Sequence, residues 1–176
     1  VGYKNQNPAI YVGSVSAGMP GNWNLVNHTD IYTGKIVSIA MDGNKGYVND
    51  ENGLLMKTVD GGLNWSILAV SQPETFKQMC MVGTDDLYAL RNNGDLLKYD
   101  PNNASFSLMR NNVEFISGGD KLIFAKKNSA GVLEVYRDTY SFPFARIDGV
   151  SAINGLAVLP CSSFSGGLLL FFVEAG

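Results

Sequence analysis

Thr58-Val59-Asp60-Gly61-Gly62-Leu63-Asn64-Trp65 is the stretch on which the reading of the chain turns. A hydroxyl residue stands two before an Asp, two glycines follow, and a small polar residue precedes Trp. Asp60 can accept hydrogen bonds from nearby backbone N–H groups, as Asx-turns do. Gly61 and Gly62 admit the positive φ that a tight hairpin needs. Trp65 opens the following strand with a ring wide enough to pack across a sheet. A degraded copy lies 42 residues upstream: Ser16-Ala17-Gly18-Met19-Pro20-Gly21-Asn22-Trp23. The octapeptide predicts a hairpin built on Thr58, Asp60, Gly62, Asn64 and Trp65, with Ser16 and Trp23 as upstream counterparts.

Working outward, the pattern repeats about every 40 residues, a common period for repeat architectures. The clearest copy reads as strands at 35–41 (KIVSIAM), 46–50 and 54–58, then the octapeptide turn, then a strand from Trp65. Four short strands separated by turn signals are the unit of such arrays. In the next copy, strands fall at 76–82, 87–90 and 96–99. Tyr88 lies 41 residues after Tyr47, and Gly94 lies 41 after Gly53. Asp100 takes the place of Asp60, and Phe106 that of Trp65. A fainter copy has strands at 113–117, 121–127 and 132–136, with Arg137-Asp138 ending the third and Phe142-Pro143-Phe144 in the position of Trp65. Partial copies flank these. Residues 1–4 read as the tail of a second strand, 9–14 as a third and 22–26 as a fourth; 149–159 and 168–173 read as a first and a second.

The octapeptide resembles the Asp-box, or BNR repeat, of the sialidase-like and photosystem II assembly factor-like β-propellers. The wider string from Gly46 to Trp65 is similar to the assembly-factor form. The expected fold is therefore all-β: a propeller of four-stranded antiparallel blades with about four blades' worth of strands. Residues 1–176 read as one domain, with blades near 1–34 (partial), 35–75, 76–112, 113–148 and 149–176 (partial). The partial copies are complementary. They either close one blade of a small ring or belong to an arc of a larger one. The chain's opening inside a strand pattern reads as a processed product or a fragment.

Composition bounds the function. The chain is 45% hydrophobic and 16% charged, with formal net charge −3. The charged fraction is low against a typical quarter, so Asn, Ser, Thr and Gly supply the polar surface. That style suits an extracellular, cell-surface or virion protein. Lys126-Lys127 is the sole adjacent basic pair, which argues against nucleic-acid binding. The apolar run at 166–173 is too short to span a bilayer as a helix. Cys80, inside Met79-Cys80-Met81, reads as a buried thiol, and Cys161, after Pro160, as a turn residue. His28 is the one histidine, so neither a His-based metal site nor a Ser-His-Asp triad is expected. No cofactor is implied. Asn27-His28-Thr29, Asn64-Trp65-Ser66 and Asn103-Ala104-Ser105 are sequons that matter only in a eukaryotic secretory pathway.

The Asp-box is a structural device, and the assembly-factor resemblance implies a docking platform without chemistry. Binding of a protein or glycan partner is expected at loop tips. Asn44, Asp85 and Asp120 join first strands to second; Asn52 and Asn93 join second to third. The alternative is an exported glycan-active enzyme. Sialidases of the superfamily use three arginines, yet Arg91, Arg110, Arg137 and Arg146 are all this chain has. Phe144-Ala145-Arg146-Ile147-Asp148 departs from the sialidase arginine motif in spacing and lacks its Pro. Paired carboxylates for glycoside hydrolysis would come from Asp42, Asp50, Glu51, Asp85, Asp86, Asp120 and Glu134. The strand at 168–173, apolar on both faces, requires a cover from 9–14, from another chain or from a missing continuation.

Overall fold

A computed structural model describes residues 2–4, 7–16, 19–26, 34–71, 73–83, 85–137, 143–147, 153–161 and 167–174, with no helix among them. The first sheet holds β1 (Gly2–Lys4), β2 (Asn7–Ser16) and β3 (Met19–Val26). The second holds β4 (Ile36–Asp42), β5 (Lys45–Asp50), β6 (Leu55–Thr58) and β7 (Ser66–Ile67). The third holds β8 (Gln78–Val82), β9 (Asp86–Leu90), β10 (Leu96–Asp100) and β11 (Ser105–Arg110). The fourth holds β12 (Val113–Ser117), β13 (Ile123–Lys127), β14 (Leu133–Arg137) and β15 (Ala145–Ile147). The fifth is the hairpin of β16 (Ile153–Cys161) and β17 (Gly167–Glu174). Every sheet is an antiparallel meander in chain order. The first strands β4, β8, β12 and β16 lie side by side along the inner margin.

Alternating side chains explain why the sheets stack. In a strand, successive residues face opposite ways. Tyr47 on β5 therefore packs with Met79, Met81, Leu97 and Tyr99 of the third sheet. Its neighbour Val48 packs with Ile10 of the first sheet, beside Met56 and Trp65. Likewise Met79 and Met81 face back while Cys80 faces forward, onto Ile116 and Phe124. Both faces of each full sheet are thus core, as for sheets covered on both sides.

Polar side chains bind the sheets where apolar contact alone would leave backbone groups unpaired. The amide of Gln78 spans from β8 to β12: its Nε2 donates to the Ile116 carbonyl at 2.6 Å, and its Oε1 accepts from the Ile116 N–H at 3.1 Å. Asn49, fully buried on β5, accepts from the Phe76 N–H at 2.8 Å and donates to the Glu74 carbonyl at 2.9 Å. Beyond β12, the Gly119 N–H donates to the Met81 carbonyl at 3.1 Å, and the Gly83 N–H to the Gly119 carbonyl at 2.9 Å. A Cβ on Gly118 would stand 1.8 Å from the Met81 carbonyl oxygen.

Several sequence expectations change. The leading sheet has the three strands read at 1–4, 9–14 and 22–26, the second and third of them longer than expected. The string Ser16 to Trp23 does not repeat the hairpin turn of Thr58 to Trp65. Ser16 pairs with Met19 and Trp23 with Gly13 inside one long hairpin, and Trp23 is 64% exposed. Gly18 stands where Asp60 would accept, and Pro20 stands where Gly62 takes φ +89°; proline is locked near −65°. Cys161 pairs with Gly167 at the end of a strand rather than sitting in a turn. The self-closing pairing of 9–14 with 168–173 is absent, because β2 already holds β1 on one edge and β3 on the other. Asp138 and Phe142 lie outside the described residues.

Gly118→Ala is expected to destabilise by about 1–3 kcal/mol, the usual range for overpacking, because backbone and not a flexible side chain blocks the added methyl. A urea titration in which the midpoint does not fall would contradict the close approach.

Candidate functional site

The turn at 58–65 closes on itself. The Gly62 N–H donates to Thr58 Oγ1 at 3.0 Å, and that hydroxyl donates to Asp60 Oδ1 at 2.8 Å. Asp60 Oδ1 also accepts from the Asn64 N–H at 2.9 Å, and Oδ2 from Asn64 Nδ2 at 2.7 Å. These donors hold the Asp60 carboxyl down at about 2, the backbone N–H of Asn64 foremost. Trp65 is buried, and its Nε1 donates to the Gly62 carbonyl at 2.9 Å. Gly61 and Gly62 take φ of +74° and +89°. The turn's polar groups are thus engaged chiefly with one another.

A related arrangement follows one sheet later. Asp100 Oδ1 accepts from the Asn102 N–H at 2.9 Å, and Oδ2 from Asn103 Nδ2 at 2.6 Å. The Asn102 N–H is the main reason that this carboxyl also lies below its usual value. Phe106 packs against Phe76 and Tyr99, with centroids 4.7 and 5.1 Å away. Phe106 and Trp65 both face the preceding sheet.

The expected loop residues divide between two ends of the sheets. Asn44, Asp85 and Asp120 are exposed at the end that also carries the 58–65 turn. The Asn44 carbonyl accepts from the Gly61 N–H at 2.8 Å, so the first loop leans on that turn. Lys45 forms an ion pair with Asp85. Val59 and Leu63 are 64% and 58% exposed at the turn's tip. A recess of about 280 Å³ opens at this end, lined by Met41, Asp42, Cys80, Met81, Gly118 and Gly119. Burial pushes the Cys80 thiol up to about 12, which leaves it protonated and poorly nucleophilic. Sequence reading missed the recess because its walls come from three different sheets.

The opposite end carries Asn52 and Asn93. The Asn52 N–H donates to Asp50 Oδ1 at 3.0 Å, and Asn93 Oδ1 accepts from the Asp95 N–H at 3.0 Å. An apolar groove of about 300 Å³ lies beside Asn52, between Leu54, Leu55, Ile67 and Pro73.

The charged residues weighed for glycan chemistry divide between the two ends, with Asp42, Asp85 and Asp120 at the recess end and Asp50 and Glu51 at the other. Asp50 is buried and accepts from the Leu54 N–H as well. Glu51 accepts from the Lys35 N–H at 3.0 Å. Asp86 is bonded by Lys98 at 2.8 Å. Glu134, on β14, accepts from the Tyr136 hydroxyl at 2.7 Å and from Asn128 at 3.1 Å, with Arg146 Nε 3.2 Å away; the Tyr136 bond is the largest cause of its lowered pKa. Arg91 grips Glu74 through two bonds of 2.7 and 2.6 Å. Arg110 and Arg146 lie on the outermost strands β11 and β15, and Arg137 ends the third strand β14. Among the described residues, no three of His, Cys, Asp and Glu are grouped to hold a metal ion.

No protein-family model matches the chain, and no curated protein matches it. Solved structures do. One described as YCF48 bound to D1 peptide superposes with TM-score 0.51 and 14% identity, covering 87% of this chain and 51% of that one. Human WBSCR16 gives TM-score 0.50 and 15% identity, covering 80% and 45%. The chain spans about half the length of each. At such identities the likeness is one of fold. With its unclosed row of meanders, the chain is an all-β, propeller-like arc.

Trp65→Ala is expected to cost about 3–5 kcal/mol, the range for buried aromatic truncation; a loss below about 1 kcal/mol in denaturant titration would contradict its place in the core. Asp60 generates a pH dependence. Its folded value lies below the unfolded one of 3.8, so its contribution is full above about pH 4 and is lost as pH falls toward about 2. The difference in urea midpoint between the wild type and Asp60→Asn should accordingly be widest at neutral pH and shrink over that window. A constant difference would contradict the carboxylate's role.

Proposed function

We propose that the chain is a non-enzymatic docking module, a single domain of Asp-box propeller type that presents loops to a protein partner in an extracellular, cell-surface or virion setting. The observation that carries the reading is the end bearing Asn44, Asp85 and Asp120. The same end carries the exposed Val59 and Leu63, a recess of about 280 Å³ and the carboxylates of Asp42, Asp85 and Asp120. Apolar side chains rimmed by polar groups are the usual make-up of interaction sites. With Asp85 already paired to Lys45, Asp42 and Asp120 favour a partner segment that carries Lys or Arg next to an apolar anchor. The turn's own hydrogen bonds stay internal, which suits a rigid platform that docks without rearranging. One fold neighbour was solved bound to a peptide, in keeping with a peptide-sized occupant.

Panning displayed random peptides against the folded chain tests this. Enriched peptides should carry basic residues and should lose about tenfold or more in affinity, about 1.4 kcal/mol, on Leu63→Lys combined with Asp120→Lys. Peptides indifferent to those changes but displaced by Ile67→Glu would move the site to the opposite end. Turnover of a panel of chromogenic glycosides would replace the docking reading with a glycan-active enzyme.

A further inference from the structure

Two polar links join the third and fourth sheets at their inner margin. One is the Gln78 side chain, which bonds both backbone groups of Ile116. The other is the segment 118–119, which runs parallel to the end of β8 and bridges Val82 through Gly119. The Gly119 N–H donates to the Met81 carbonyl, and the Gly119 carbonyl accepts from the Gly83 N–H. Among the described residues, the second and third sheets have neither link. Ser38, two before Ala40 as Gln78 is two before Cys80, has a shorter side chain. The turn from β8 to β9 has three residues, 83–85, against five, 118–122, from β12 to β13.

β4 nevertheless repeats the receiving half of the second link. Met41 and Gly43 are spaced as Met81 and Gly83 are, and the two glycines hold φ of +55° and +57°. In an antiparallel ladder, residues turn their backbone groups alternately to the partner strand and away from it. Met81, opposite Leu87, turns its carbonyl away from β9 to Gly119. Met41, opposite Gly46 at the matching step, turns its carbonyl to the inner edge. Among the described residues, no backbone group outside the ladder bonds the Met41 carbonyl or the Gly43 N–H. The space beside this edge is the recess of about 280 Å³, lined by residues 40–42 of β4, 79–81 of β8 and the segment 118–119.

We propose that the recess is a slot for main chain, filled by an extended Gly-Gly segment of a partner protein that carries Lys or Arg beside the glycines. The inference rests on the docking reading of this end and adds what the partner presents there. The second glycine donates its N–H to the Met41 carbonyl and accepts from the Gly43 N–H, as Gly119 does on β8. The chain's own link states the requirement for glycine. A Cβ on Gly118 would meet the Met81 carbonyl oxygen at 1.8 Å, and Gly119 holds φ +142°, a conformation open to glycine. The charge follows from Asp42, which is exposed and stands on β4 where Val82 stands on β8. Main-chain bonds to a sheet edge supply affinity, and the flanking side chains supply selectivity.

Titrating the full chain with the end-capped peptide Lys-Phe-Gly-Gly-Lys, followed by NMR, tests this. The changes are made in the peptide, so the fold of the protein is not at stake. N-methylation of the second glycine, or Ala in place of the first, should each weaken binding about tenfold, the scale of one buried hydrogen bond lost or one close approach blocked. Hydrogen exchange at the Gly43 amide should slow about tenfold in the saturated complex, as the exchange of a newly bonded N–H does. A peptide that does not bind, that binds equally well when N-methylated, or that leaves Gly43 exchange unchanged overturns the slot. The docking reading survives that result if panned peptides still depend on Leu63 and Asp120. It falls together with the slot if no peptide binds at all.

Discussion

A four-stranded meander with apolar residues on both faces cannot cover either of them. This constraint governs the molecule. Tyr47 and Val48 are adjacent in sequence yet belong to different cores, as do Met79 and Cys80. Each sheet is stable only when clasped by two others, so the stack extends sideways and the inner strands line up. The arrangement resembles a one-dimensional array in which each unit touches only its neighbours. Stability is then held in the interfaces, and the bridging amides of Gln78 and Asn49 fall where two units meet. Each takes the hydrogen bonds that a further strand would otherwise have made.

Turns are handled differently. The second-to-third hairpins of the three complete sheets share one backbone plan. Gly53, Gly94 and Gly131 hold φ of +84°, +88° and +79°, and each N–H bonds the carbonyl three residues earlier. The residue at the start of the plan varies. Asp50 and Asn128 cap the turn with their own side chains. Arg91 cannot accept, so Asn93 caps instead and the guanidinium turns to Glu74 and Asp95. Backbone geometry is kept while the side-chain solution is rewritten.

Most of this was legible in the sequence, and the exceptions have physical causes. The 41-residue spacing links Tyr47 to Tyr88, Gly53 to Gly94 and Trp65 to Phe106, and each pair faces the same way or turns the same way. The spacing fails on the first strands: Ala40 pairs with Tyr47 but Cys80 with Tyr88, because the turn after β8 is one residue longer. A one-residue change of register is invisible to periodicity and reverses which side chains face which core. The upstream octapeptide misled for the opposite reason. Its ends, Ser16 and Trp23, match, but its middle lacks the acceptor and the glycine that force the turn. The recess near Asn44 was beyond reach, since it depends on what adjoining sheets leave uncovered.

The 58–65 turn has one more consequence. Its side-chain bonds run among Thr58, Asp60, Gly62, Asn64 and Trp65, and the Gly61 N–H reaches out to the Asn44 carbonyl. A turn so bonded asks few polar groups of the units beside it, although the Trp65 ring packs outward onto Ile10 of the first sheet. Duplication of the segment that encodes it would yield a hairpin competent from the first generation, before neighbouring surfaces had adapted. Later copies could drift independently, as Asp100 and Phe106 illustrate, since decay in one would not propagate to the next.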